Sequence, residues 1–195
     1  MARIGLRYFR HAPLTNEALT YEASTYGTIE TLAGAIECKV SLDVAEATLY
    51  ADDILKEKVS VVSQGTITLG IDEDDDAKMA ALLGQTSNEL NIEGETDAKE
   101  YVQKADDTPV PQGFGHIVPK MVSGSRKYKV EFFPKVLFKP YAVDAKTKGD
   151  SLEFTTPSIE GTVMPLEDGT WEIHATFERE ESAKTYLDSL FIQQS

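Results

Sequence analysis

Alternation of apolar and polar residues is the feature that most constrains this chain. From Ile36 to Val44 the even positions are Ile, Cys, Val, Leu and Val, while the odd ones are Glu37, Lys39, Ser41 and Asp43. Successive side chains of a strand point to opposite faces, so this pattern describes a strand buried on one face and solvated on the other. Ile67, Leu69 and Ile71 repeat it, as do Tyr128, Val130, Phe132, Val136 and Phe138, with Lys127, Lys129, Lys135 and Lys139 on the opposite parity. Leu152 and Phe154 precede Pro157, after which Ile159, Gly161 and Val163 resume. Trp171, Ile173, Ala175 and Phe177 alternate with Glu172, His174, Thr176 and Glu178. Turn residues at Ser123-Gly124-Ser125 and Glu167-Asp168-Gly169-Thr170 separate these runs, as hairpins require. The expected class is mainly β and antiparallel.

Two helices interrupt the pattern. The acids of 72–76 precede AKMAALLG, a short helix with negative charge at its positive end and Gly84 as its stop. Ala183, Tyr186, Leu187, Leu190 and Phe191 form one apolar stripe at helical spacing behind Glu180 and Glu181. Two stretches lack a clean period. Residues 43–64 read as a long projecting hairpin or loop between strands, and the acidic residues 85–113 as a surface loop or extended arm.

At 195 residues the chain fits a single domain, 1–195. No apolar run approaches the roughly 20 residues that cross a bilayer, and the arginine-bearing N-terminus does not read as a signal peptide. A cytoplasmic site of synthesis, with no membrane partner, is therefore expected. Cys38 is the only cysteine, so an intrachain disulfide is impossible, and its apolar parity predicts a small buried hydrophobe rather than a nucleophile.

Charge is segregated along the chain. The net −14 divides into +3 over 1–11, −15 over 12–119, +6 over 120–148 and −8 over 149–195. The total opposes a nucleic-acid-binding surface, which needs clustered cations. Segregation describes either two solvated faces or a surface complementary to a second copy of itself.

Motifs for chemistry are missing. The consecutive acids of 72–76 lack the alternate spacing of an EF-hand loop. His11, His116 and His174 lie far apart without metal-ligand spacing. No phosphate-binding glycine loop or nucleophile elbow occurs. The lysine face of 127–139 lacks interleaved aromatics on its own parity, apart from Phe133, so a solvated face or an intersubunit contact precedes nucleic-acid binding. The expectation is a non-enzymatic protein with no catalytic residues, no metal and no cofactor.

Several collinear segments resemble the major tail proteins, or tail-tube proteins, of long-tailed phages and prophages of Gram-positive bacteria. They are RIGLRYFR at 3–10, LYADD at 49–53, GTITLGID at 65–72, GFGHIVPKMVSGSRKYKVEFFPKV at 113–136 and KGDSLEFTTPSIEGTVMPLEDGTWE at 148–172; residues 85–107 lie outside the likeness. The resemblance implies a two-sheet β-sandwich or barrel-like tail-tube fold with one or two flanking helices, related to the tube of type VI secretion. It also implies hexameric rings, stacked through an N-terminal arm (1–14) and the long inter-strand loop (43–64) into a hollow conduit for DNA. By position, Arg3, Arg7 and Arg10 of the arm and Leu49, Tyr50, Asp52, Asp53 and Ile54 of the loop are the stacking candidates; Lys127, Lys129, Lys135 and Lys139 are the candidate intersubunit face. The implied partners are further copies of the chain, a tape-measure protein and tail terminator or initiator proteins, in a virion assembled in the host cytoplasm. DNA would pass the lumen without specific binding. Rival readings are a tail terminator or baseplate hub, a β-sandwich binding module that should expose a flat aromatic patch, and an acidic hydrolase.

Overall fold

A computed structural model describes residues 2–51, 54–140 and 156–192. Asp52, Asp53 and the strand expected around Leu152 and Phe154 lie outside the described residues. The elements in chain order are β1 (Ala2–Arg3), β2 (Arg7–Asn16), a single 3-10 turn (Tyr21–Ala23), β3 (Thr25–Tyr26), β4 (Glu30–Thr31), β5 (Ala35–Ala51), β6 (Ile54–Ile71) and α1 (Asp76–Leu83). They continue with β7 (Thr86–Glu89), β8 (Lys99–Val102), β9 (Gln112–Val122), β10 (Ser125–Phe138), β11 (Ser158–Val163), β12 (Ile173–Phe177) and α2 (Glu180–Phe191). The chain is mainly β and antiparallel.

One large sheet runs β3-β2-β9-β10-β11-β6-β5, with β1 on β9, β4 on β2 and β12 on β10; β7 and β8 pair separately. A two-sheet sandwich or barrel-like form was expected, and the layers belong to one large curled sheet because β10 serves both: Tyr128–Phe132 pair with β12 and Val136–Phe138 with β11. The sheet curls until Cys38 of β5 meets His116 of β9 across its interior.

A bulge in β10 makes this possible. Phe133 pairs with Phe114, but the next register pair is Val136 with Gln112, so β10 carries one extra residue around Pro134. Since side chains alternate, the extra residue swaps faces. Val130 and Phe132 face α2, whereas Phe133, Val136 and Phe138 all face the interior of the curl. The single parity read from Tyr128 to Phe138 is therefore two faces joined at a bulge. A second bulge lies between Ala35 and Glu37, and Ile36, expected in the core, is half exposed there.

Two cores result. The interior of the curl holds Phe9, Ile67, Leu69, Ile71, Phe114, Phe138 and Ile159, closed at one end by Met79, Leu82 and Leu83 of α1. The other lies under α2, whose Ala183, Leu187, Leu190 and Phe191 pack on Ile117, Val130 and Phe132. Burying each large apolar side chain contributes about 1.5–3 kcal/mol, which fixes the helix to the sheet. Gly115 lets it approach so closely, because a Cβ there would overlap Leu187.

Local signals end the elements where chemistry requires. Asp75 Oδ1 accepts hydrogen bonds from the Ala77 and Lys78 amides, and Gly84 leaves α1 at φ 70°. Ser123 and Gly124, both at positive φ, make the two-residue turn between β9 and β10.

Two stretches differ from expectation. Residues 7–14, read as part of an arm, lie in the sheet as β2, with Phe9, Ala12 and Leu14 buried. The pattern was hidden because Tyr8 adopts φ 65° and the pairing with β9 shifts register between Arg7 and Arg10. Within 85–113, read as loop or arm, Thr86–Glu89 and Lys99–Val102 pair as a small exposed hairpin whose polar sequence carries no apolar face.

Candidate assembly interface

The hairpin of β5 and β6 has a covered base and an uncovered distal half. At the base, Cys38, Val40 and Leu42 pair with Leu69, Ile67 and Gly65 and face the interior. Beyond a register shift between Asp43 and Val44 the same two strands continue, Val44 opposite Val62 through Ala51 opposite Ile54. The segment 43–64 is thus a hydrogen-bonded ribbon rather than irregular loop. Its eight residues from Val44 to Ala51 reach about 25 Å.

Neither face of that ribbon is buried from Val44 to Thr48 or from Lys56 to Val61. One face carries the Glu46–Lys58 ion pair at 2.9 Å. The other sets Ala45 opposite Val61 and Ala47 opposite Val59, and these valines are 59% and 48% exposed. On the base, the same outward face is polar: Glu37, Lys39 and Ser41 beside Thr66 and Thr68. A two-stranded ribbon uncovered on both faces has little stability of its own in water. In addition, among the described residues β5 ends the sheet, so its second edge has no strand partner there. Leu49, Tyr50 and Ile54 occupy ladder positions near the tip.

The arm arginines are engaged within the chain. Arg3 Nη2 donates to Glu131 Oε1 at 3.1 Å, Arg7 Nη1 to both oxygens of Glu180, and Arg10 Nε to Asp188 Oδ1 at 3.1 Å. Arg10 also lies over the Tyr8 ring, whose hydroxyl donates to Asp188 at 2.9 Å. Burial and the Asp188 carboxylate push the Tyr8 phenol above its ordinary pKa. The lysines of β10 are likewise paired: Lys127 with Glu178, Lys129 with Glu131 and Glu172, and Lys135 with Glu17. Lys139 is exposed and joins β11 through its backbone amide. The exposed pairs among them, Arg7–Glu180 and Lys127–Glu178, are worth about 0–1 kcal/mol each.

Glu131 is the exception. It is buried, and Arg3, Lys129 and His116 converge on it. Burial alone would raise its pKa, but hydrogen bonds from His116 and Lys129 outweigh that and hold it at about 2. An ionised carboxylate only accepts, so His116 Nε2 carries the proton in the 3.0 Å contact. His116 Nδ1 then faces Cys38 Sγ at 3.9 Å. Thiol, imidazole and carboxylate are thus aligned, and the thiol and carboxylate line a cleft of about 230 Å³ with Arg3, Lys129 and Trp171. The thiol is nonetheless pushed up to about 12 by burial and by the Glu131 charge, which keeps it protonated at neutral pH.

Sequence reasoning passed over Glu131 and considered His116 only as a metal ligand, although one signal was present: Glu131 is the only acid among the lysines of 127–139. Glu180 and Asp188 could not be matched to Arg7 and Arg10 without the position of α2. Among the described residues no group of three or more His, Cys, Asp or Glu side chains is arranged to hold a metal ion, and no helix is long and apolar enough to cross a membrane. Comparison of the sequence with family models and with curated proteins finds no match to either.

Proposed function

We propose that this chain is the major tail-tube subunit of a long-tailed phage, assembling with copies of itself into stacked rings, six subunits to a ring, that form the conduit for DNA. The tail-tube form of the β-sandwich, the virion location and the tape-measure and terminator partners belong to the same proposal. The observation that carries it is the distal β5–β6 ribbon, uncovered on both faces and apolar on one. An apolar ribbon continuous with a sheet edge that is unpaired among the described residues fits docking on an identical neighbour, because the edge supplies hydrogen bonds and the valines supply buried area. Heterologous contacts of this kind close into rings or propagate along an axis. The outward polar face of β5, β6 and β11, with Glu37, Lys39, Ser41, Thr66, Thr68, Glu160 and Thr162, carries more acid than base and suits a lumen wall past which phosphates slide without sticking.

Electron microscopy of the concentrated protein tests this reading. Hollow filaments of stacked rings are expected. Solid or closed assemblies without an axial channel, or single chains that bind a saccharide tightly, would refute it.

A further inference from the structure

We infer that Cys38 Sγ and His116 Nδ1 form a two-ligand site for a soft monovalent metal ion, Cu(I), which enters through the cleft that the thiol lines. The site belongs to the single chain, whatever that chain assembles into. The imidazole is held as a metal ligand is held. Its side chain is 2% exposed, stacked on Phe133 at 6.2 Å and flanked by Phe9 and Phe114. Nε2 donates to the ionised Glu131 at 3.0 Å, the arrangement in which a carboxylate fixes the tautomer of a metal-binding histidine and raises the basicity of its other nitrogen. In the neutral ring that other nitrogen, Nδ1, carries the lone pair. Among the described residues its one partner is the Cys38 sulfur, 3.9 Å away, and a thiol is a weak donor even at closer range. A buried nitrogen lone pair thus faces a soft sulfur across a gap.

The gap has the width of a metal with few ligands. Bonds of about 2.3 Å to sulfur and about 2.0 Å to nitrogen set those atoms about 3.5 Å apart at a tetrahedral angle and about 4.3 Å apart in a line. The observed 3.9 Å lies between the two, where an ion with two or three ligands belongs. Of the described residues lining the cleft, Val40, Leu42, Phe133 and Trp171 offer no ligand atom. Its acids are engaged already, Glu131 by Arg3, Lys129 and His116, and Glu172 by Lys129. Zinc would lack its usual four ligands here, whereas thiolate with imidazole suits Cu(I). Charge points the same way. As the S–Cu bond forms, the S–H bond breaks and its proton passes to solvent, with no electron transferred. One monovalent ion for one proton leaves the net charge of the site unchanged; a divalent ion would add positive charge beside Arg3 and Lys129. Burial keeps the free thiol protonated, but coordination itself removes the proton, so the ion needs no thiolate beforehand.

The test titrates the full chain with Cu(I), without oxygen, against a chromophoric Cu(I) chelator. A single ion per chain is expected, bound about tenfold more tightly for each unit of rising pH near neutrality because one proton is released, with the thiol shielded from iodoacetamide. Cys38→Ser should abolish binding. His116→Gln should weaken it beyond the roughly 10–100-fold that losing a supporting carboxylate costs. No binding by the parent, or undiminished binding by C38S, would overturn the site. Binding lost in C38S but kept in H116Q would overturn it too, since the thiol would then act alone. Should H116Q fail to fold, copper K-edge absorption of the loaded parent decides without a variant. One sulfur and one nitrogen neighbour support the site, whereas sulfur without nitrogen, or two sulfurs from two chains, contradicts it.

Discussion

The two halves of the β5–β6 hairpin share a ladder and differ in everything the ladder does not provide. At the base, Ile67, Leu69 and Ile71 are fully buried against β9, β10 and α1, while Thr66 and Thr68 face outward. In the distal half the strands keep their hydrogen bonds but lose the second layer, and Ala45, Ala47, Val59 and Val61 sit on the face that was polar below. The difference teaches that strand pairing extends as far as the backbone permits, whereas burial stops where the single chain runs out of neighbours. The base is stabilised by its own chain. The tip has the composition of a surface whose other layer comes from elsewhere.

Substitutions sharpen this contrast, the largest effects belonging to the base. Leu69→Ala removes a fully buried side chain and should destabilise the fold by about 2–5 kcal/mol in denaturant unfolding. A Leu69→Ala chain as stable as the parent would mean that the base is not packed as described. Glu131→Gln should follow, at about 2 kcal/mol, because it deprives buried Lys129 and His116 contacts of their charged acceptor. At the tip, Val61→Ser should change the stability of the isolated chain by no more than about 0.5 kcal/mol, yet Val59→Asp with Val61→Asp should abolish self-association in sedimentation. A double variant that assembles normally would remove the ribbon from the interface.

Acid should weaken the packed part of the fold in two steps. Burial lowers the His11 pKa from 6.5, and its Nε2 has no hydrogen-bond partner among the described residues. The unfolded chain therefore takes up this proton first, and stability falls as pH drops below about 6.5. Glu131 adds a second loss. Its contribution is complete above the ordinary value of 4.5 and disappears as pH falls toward 2. Thermal unfolding between pH 7 and 3 should show both losses, with the lower one missing from Glu131→Gln.

Much of this was legible in the sequence, for a physical reason. Alternation reports burial, so the strands at 36–44, 66–71, 159–163 and 173–177 and both helices announce themselves wherever one face meets a core. What escaped were the places where burial and alternation part company. Pro134 sits in the bulge that moves Phe133 to the face shared with Val136 and Phe138, and no local pattern encodes that swap. Tyr8 breaks the period of β2 by its backbone conformation. The cluster of Arg3, Cys38, His116 and Glu131 joins positions up to 128 residues apart, which only the curl of the sheet brings together. The distal ribbon was legible only as a projecting hairpin or loop, since strands exposed on both faces carry no buried stripe by which a sequence pattern could decide between the two.

Hydrogen exchange read peptide by peptide, in dilute and in concentrated protein, tests most directly whether a second copy covers the ribbon. The account predicts that amides of 44–62 exchange rapidly in single chains and become protected as concentration rises, while those of 66–71 stay protected throughout. Equal, rapid exchange of 44–62 in assembled and single chains would contradict it.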